Sequence, residues 1–130
     1  MSRRTLVALV VAVAVVALLA TVLMTVFQPG SVPAGAGTAE RLWVVHCAHC
    51  HGVDGKGSWR ATLFLIRPGD LSDPASARQS SDQYLFDIIK HGGSPIGRPG
   101  MPGFPHLSDP EVHALVRYLR SLPEATPPKR

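Results

Sequence analysis

Two hydrophobic rhythms divide the chain. From Thr5 to Phe27 no residue is charged, and only Thr5, Thr21 and Thr25 interrupt Val, Ala, Leu, Met and Phe. As a helix these 23 residues reach about 34 Å, against about 30 Å of bilayer hydrocarbon. After Thr38 the apolar positions instead recur at helical spacing. Thr38 is positioned to cap a first helix whose inner side runs Ala39, Leu42, Trp43 and His46/Cys47. Ser80 and Gln83 read as a capping box for a second, with Leu85, Phe86, Ile88 and Ile89 inward and Gly92-Gly93 ending it. A third opens on the capping box Ser108/Glu111 and the hydrophobic staple Leu107/Val112. It continues through Leu115, Val116, Leu119 and Leu122 and is expected to stop at Pro123. There is little alternating β pattern, so the pattern predicts an all-α domain.

Between the two rhythms, residues 28–37 read QPGSVPAGAG, a Pro/Gly/Ala linker. Ten residues span at most about 35 Å. The division expected is therefore an N-terminal membrane anchor at 1–27, a linker at 28–37, a helical domain at 38–122 and a mobile tail at 123–130. Ala34-Gly35-Ala36 offers a signal-peptidase-like site. The apolar run is nevertheless longer than the roughly 7–15 residues of a cleavable signal, which favours an uncleaved single-pass anchor. Arg3 and Arg4 precede the run and should remain cytoplasmic, placing the domain on the periplasmic or other extracytoplasmic side of the inner membrane.

Charge adds little. The formal net charge is +4, from 13 basic and 9 acidic residues. Without Arg3 and Arg4 the balance is 11 against 9, too even to point to nucleic acid.

The chemistry is concentrated in Cys47-Ala48-His49-Cys50-His51, which contains both cysteines of the protein. A C-x-x-C-H run is the attachment signature of a c-type haem. Two thiols three positions apart sit about one helical turn from each other, within reach of two vinyl groups on one porphyrin edge, and the adjacent imidazole is a suitable iron ligand. A dithiol redox pair is the first alternative, but it usually comes with a βαβ scaffold. A zinc site is the second, and it lacks a further C-x-x-C or H-x(3 to 5)-H pair.

Thr38 to Leu122 resembles the class I monohaem c-type cytochromes of bacteria, including membrane-anchored forms. Ala39 and Trp43 stand eight and four positions before Cys47, where that family places a small residue and an aromatic, and Tyr118 matches the aromatic partner on the last helix. Pro68-Gly69-Asp70-Leu71 is similar to the family's Pro-x-x-Leu segment beside the haem, and Gly100-Met101-Pro102-Gly103-Phe104 to its distal-ligand loop. The resemblance implies a small cytochrome c fold of three to four helices around one covalent haem c, preceded by the transmembrane helix. It implies thioether links at Cys47 and Cys50, His51 as proximal iron ligand and Met101 as distal ligand, with His91 and His106 the alternatives. Pro68 is the candidate acceptor for the ring N–H of His51, while Trp59, Arg60 and Arg67 are candidates to meet the haem propionates.

The expected function is one-electron transfer without substrate chemistry at the iron. Its expected partners are redox proteins in or at the same membrane, either as a carrier or as a subunit of a respiratory or photosynthetic complex. The competing reading is a haem-based gas sensor or peroxidase with a displaceable Met101.

Overall fold

The computed structural model describes residues 2–28 and 30–125, whose regular secondary structure is helical, with no strand among them. The segment expected to form a mobile tail lies largely outside the described residues, which stop at 125.

Helix α1 (Arg3–Phe27) is capped by Ser2, whose hydroxyl accepts from Thr5 N at 3.2 Å. None of its residues is buried by the rest of the chain, and its mean hydropathy of 3.2 makes it long and apolar enough to cross a membrane. The linker after it does not extend freely. Ala36 is buried, its N–H donates to Pro33 O at 3.1 Å, and its carbonyl accepts from Arg41 Nε at 2.9 Å. Gly30 lies against Val44, so that even a methyl group there would come within 3.1 Å of a Val44 methyl. The Pro/Gly/Ala stretch is thus laid along the domain it joins.

The first domain helix is a composite of α2 (Thr38–Leu42), a π turn over Trp43–Cys47 and α3 (Ala48–His51). Gly37, not Thr38, occupies its cap position and gives no side-chain bond, because the helix begins one residue earlier than its hydroxyl requires. In the π turn the Ala48 N–H reaches back to Trp43 O, the wide i→i+5 pattern that often marks functional segments. Two short helices follow: α4 (Trp59–Leu63), capped by Ser58, and α5 (Pro74–Gln79), capped by Asp73 with Pro74 in the first turn.

Helix α6 (Asp82–His91) is capped by Ser81, which accepts from Tyr84 N at 3.1 Å. The capping box expected at Ser80/Gln83 is therefore shifted: Ser80 ends α5, and Gln83 bonds Asp87 instead. A short 3₁₀ turn (Ser94–Ile96) precedes α7 (Asp109–Ala125). Before α7 the Glu111 carboxylate accepts from both Ser108 N–H (2.8 Å) and Ser108 Oγ (2.7 Å), the reach-back half of the expected box. Pro123 does not end α7, which runs to Ala125. A proline in the last turn forfeits one backbone bond, and burial of Leu122 holds that turn on the core.

Helix α7 packs on α2, α5 and α6. Its stripe of Val112, Leu115, Val116 and Leu122 is buried with Trp43, Val44, Ala48, Ile89 and Leu107 in one cluster. Fully burying side chains such as Trp43, Leu115 and Val112 stabilises the fold by roughly 1.5–3 kcal/mol each. Polar ties fasten α7 to both ends of α6. Arg120 donates to Asp82 (2.7 Å) and Ser80 O, and Lys90 Nζ donates to Asp109 (2.8 Å) and Leu107 O (2.6 Å).

Candidate functional site

Cys47 closes the π turn, while Cys50 and His51 form the end of α3, so the motif sits on one continuous helical segment. Both thiols are free and half-buried. Burial, then the neighbouring Cys50, pushes the Cys47 thiol up to about 12. Burial also lowers the His51 pKa, favouring the neutral imidazole that ligates metals. Among the described residues no three His, Cys, Asp or Glu side chains gather into a group able to hold a metal ion.

The chain must leave α3 sharply for the motif to remain at its end. Gly52 does this with φ 76°, and a Cβ there would meet Gly57 O at 3.0 Å. Gly55 and Gly57 also have positive φ, as expected for the turn after the motif. The returning strand of loop is pinned by Gly57 N–H to His51 O (2.8 Å), Ser58 N–H to Cys50 O (2.9 Å) and Leu71 N–H to Gly55 O (2.8 Å). The Pro-x-x-Leu segment is thereby brought against the glycine loop, with Pro68 O 3.8 Å from the Cβ position of Gly57. His51 Nδ1 is buried but makes no hydrogen bond among the described residues, to Pro68 or any other acceptor.

Behind the motif, the Trp43 ring lies 5.7 Å from Tyr118 and 6.0 Å from His51. The aromatic pair anticipated from the sequence is therefore formed, and it abuts the histidine.

Met101 is half-buried and packs against the core cluster. Its loop is held by its own backbone: Gly93 N–H donates to Met101 O (2.9 Å), Met101 N–H to Arg98 O (3.1 Å) and Phe104 N–H to Ile89 O (2.9 Å). Gly92 and Gly103 press backbone on backbone. A Cβ on Gly92 would fall 2.7 Å from Gly103 N, and one on Gly103 would fall 2.6 Å from His91 C. Sequence reasoning assigned Gly92 to a helix end and passed over the role of Gly103. Two glycine positions flanking a Pro-rich loop are the signal that was available. Of the alternative ligands, His91 is exposed, and His106 is exposed with its ring 5.5 Å from His46 and 6.1 Å from Phe104.

Trp59, Arg60 and Arg67, the residues expected near the propionates, lie on α4 and the loop that follows it. Trp59 and Arg67 are exposed. Arg60 turns towards α1, where Nη1 donates to Gln28 O at 2.9 Å and Nη2 to Thr25 O at 3.0 Å.

Two half-buried sulfurs one turn apart, an imidazole beside them and a methionine loop fixed by backbone hydrogen bonds make a donor set that fits a covalently attached haem. Comparison with known proteins agrees. Residues 34–119 match the family described as cytochrome c oxidase, cbb3-type, subunit III. The fold is also similar to a solved structure, the KustC0563 c-type cytochrome, at 28% identity and a TM-score of 0.55, covering 65% of this chain and 95% of that one. The matched region spans the haem motif, the Pro-x-x-Leu segment, the methionine loop and most of α7, so this chain belongs to the cbb3-type cytochrome c oxidase subunit III family and carries one haem c bound covalently through Cys47 and Cys50.

Proposed function

We propose that the protein is a membrane-anchored one-electron carrier whose haem iron is ligated by His51 and Met101. The observation that carries this reading is the state of the Met101 loop: the methionine is half-buried against the core and its backbone is bonded to Gly93 and Arg98. A thioether is a weak ligand, so it serves only where the protein has already fixed its position. His91 and His106 are both exposed, and neither has comparable support.

The haem supplies the reversible Fe(II)/Fe(III) couple. The chain does the rest. His51 would hold the iron as a neutral imidazole and Met101 would supply a thioether ligand, so that the iron would serve electron transfer and not substrate chemistry. Trp43, Tyr118 and the α7 stripe exclude water from behind the histidine. Methionine ligation favours the reduced state relative to a second histidine and raises the potential.

Helix α1, with Arg3 and Arg4 before it, anchors the chain in the inner membrane with the haem domain on the periplasmic or extracytoplasmic side. The family's name points to a membrane oxidase complex as the site of exchange, and the short connection to α1 suits a partner in the same bilayer.

Optical and redox measurements test the ligation. The oxidised protein should show the weak charge-transfer band of iron–methionine bonding, and the reduced form should resist CO. Ready CO binding by the wild type would instead support a sensor or peroxidase. Purification from gently solubilised membranes separates a complex subunit, which brings other chains with it, from a lone carrier.

A further inference from the structure

The short helix α4 and the turn after it carry an exposed apolar surface. Trp59, Leu63, Phe64 and Leu65 are 61%, 60%, 53% and 92% exposed. Trp59 and Leu63 are four residues apart and share one helix face. The opposite face is turned inward through Ala61, which is 1% exposed. The segment then continues to Ile66, whose side chain lies 3.7 Å from the Cβ position of Gly100 in the methionine loop. Ile66 thus packs towards the methionine loop, while Trp59, Leu63, Phe64 and Leu65 stay exposed.

What lies beside this surface is the end of α1. Arg60, between Trp59 and Ala61, donates to Thr25 O and Gln28 O, carbonyls in the last turn of the apolar helix and just past it. A 25-residue helix is about 37 Å long, a few ångströms more than the roughly 30 Å hydrocarbon layer. Its last carbonyls therefore emerge at the headgroup level. The Arg60 guanidinium also sits 5.7 Å from the Trp59 ring centroid. Tryptophan beside a cation is a side-chain pairing favoured at membrane interfaces. Lys56 and Arg67, both exposed, bracket the apolar run with positive charge, as interfacial segments commonly do.

We infer that residues 59–65 dock on the lipid surface that α1 crosses, so that the haem domain lies on its own membrane in one orientation instead of swinging from a loose tether. The inference rests on the anchoring role proposed for α1. The occupant is the bilayer because the surface is continuous with the exit point of α1 and because the intervening linker is laid against the domain at Gly30 and Ala36.

The test uses the full-length holoprotein in phosphatidylcholine nanodiscs doped with a phosphatidylcholine bearing a diazirine acyl chain, followed by photolysis and peptide mapping. Label is expected on α1 and on the peptides covering residues 57–67. Label on α1 alone overturns the docking while leaving the anchor intact, and is also the result if a protein partner or the haem covers this surface. Absence of label from α1 overturns the anchor and the docking with it. In a second experiment, Arg60→Gln is compared with wild type by electron paramagnetic resonance of the ferric haem in aligned bilayers. The wild type should show an orientation-dependent signal that broadens in the variant. An orientation-independent wild-type signal overturns the fixed orientation, and an oriented signal that is unchanged in the variant overturns Arg60 as the tie that sets it.

Discussion

Trp43 and Tyr118 hold their rings 5.7 Å apart at 46°, joining the segment that leads into the haem motif to the last helix of the domain. The indole also backs the His51 ring. Truncation at this junction removes the largest fully buried side chain of the core. Trp43→Ala is expected to cost about 3–5 kcal/mol, read by denaturant unfolding of the holoprotein. Trp43→Phe, which keeps an aromatic pair with Tyr118, should cost clearly less. Equal losses would show that ring packing is not what the junction needs.

Replacing Met101, the proposed distal ligand, separates the two histidines from the methionine. Met101→Leu should abolish the iron–methionine charge-transfer band and open the reduced protein to CO, while Met101→His should restore six-coordination at a lower potential. His91→Ala and His106→Ala should leave spectrum and potential unchanged. A changed spectrum in either histidine variant would reassign the ligand.

The methionine loop is clamped by glycines whose missing side chains leave no room to give way. Gly103→Ala drives a Cβ to within 2.6 Å of the His91 backbone and should destabilise the protein by about 1–3 kcal/mol, with weakening of the methionine band. Gly69→Ala, where nothing lies within 4 Å, is the control and should stay within about 0.5 kcal/mol of wild type. Titration of the band alongside thermal unfolding distinguishes a displaced loop from a general loss of stability.

Strong acid should break the tie between α6 and α7 at Asp109. The hydrogen bond from Lys90, then its charge, holds the Asp109 carboxyl below its usual 3.8, with His113 adding a smaller pull. A carboxylate lowered by folding contributes its full stabilisation above 3.8 and loses it as pH falls through the depressed value. Lys90→Met should therefore flatten the pH dependence of stability in that acid window, measured as unfolding midpoints against pH. A slope identical to wild type would remove the pair from the account of acid stability.

The sequence was most readable where one local rule sufficed. The C-x-x-C-H run named the cofactor, and the apolar stripe of Val112, Leu115, Val116 and Leu122 announced the longest helix of the domain. It was less readable where two neighbours satisfy the same rule. Ser80 and Ser81 are both competent caps, and only tertiary packing, with Arg120 bonded to Ser80 O, decides between them. Asp73-Pro74 carried the grammar of a helix start in plain view, although the helix it opens is only six residues long. Arg60 could not be assigned from sequence, because its partners Thr25 and Gln28 lie 35 and 32 residues away and appear only when the linker folds back. The bonds of Arg60 go to backbone carbonyls, a partnership that no charge pattern announces.

The widened turn at Trp43–Cys47 sets how this gene can tolerate change. A π turn holds one residue more than an α turn, so deleting the exposed Val45 from its five residues would let the segment relax to an ordinary turn with the sulfurs close to their present bearing, whereas one inserted residue would swing them by about 100°. The stretch works as a rotational key with slack in one direction: it absorbs a one-codon loss, while a one-codon gain should leave this apoprotein unable to receive its porphyrin.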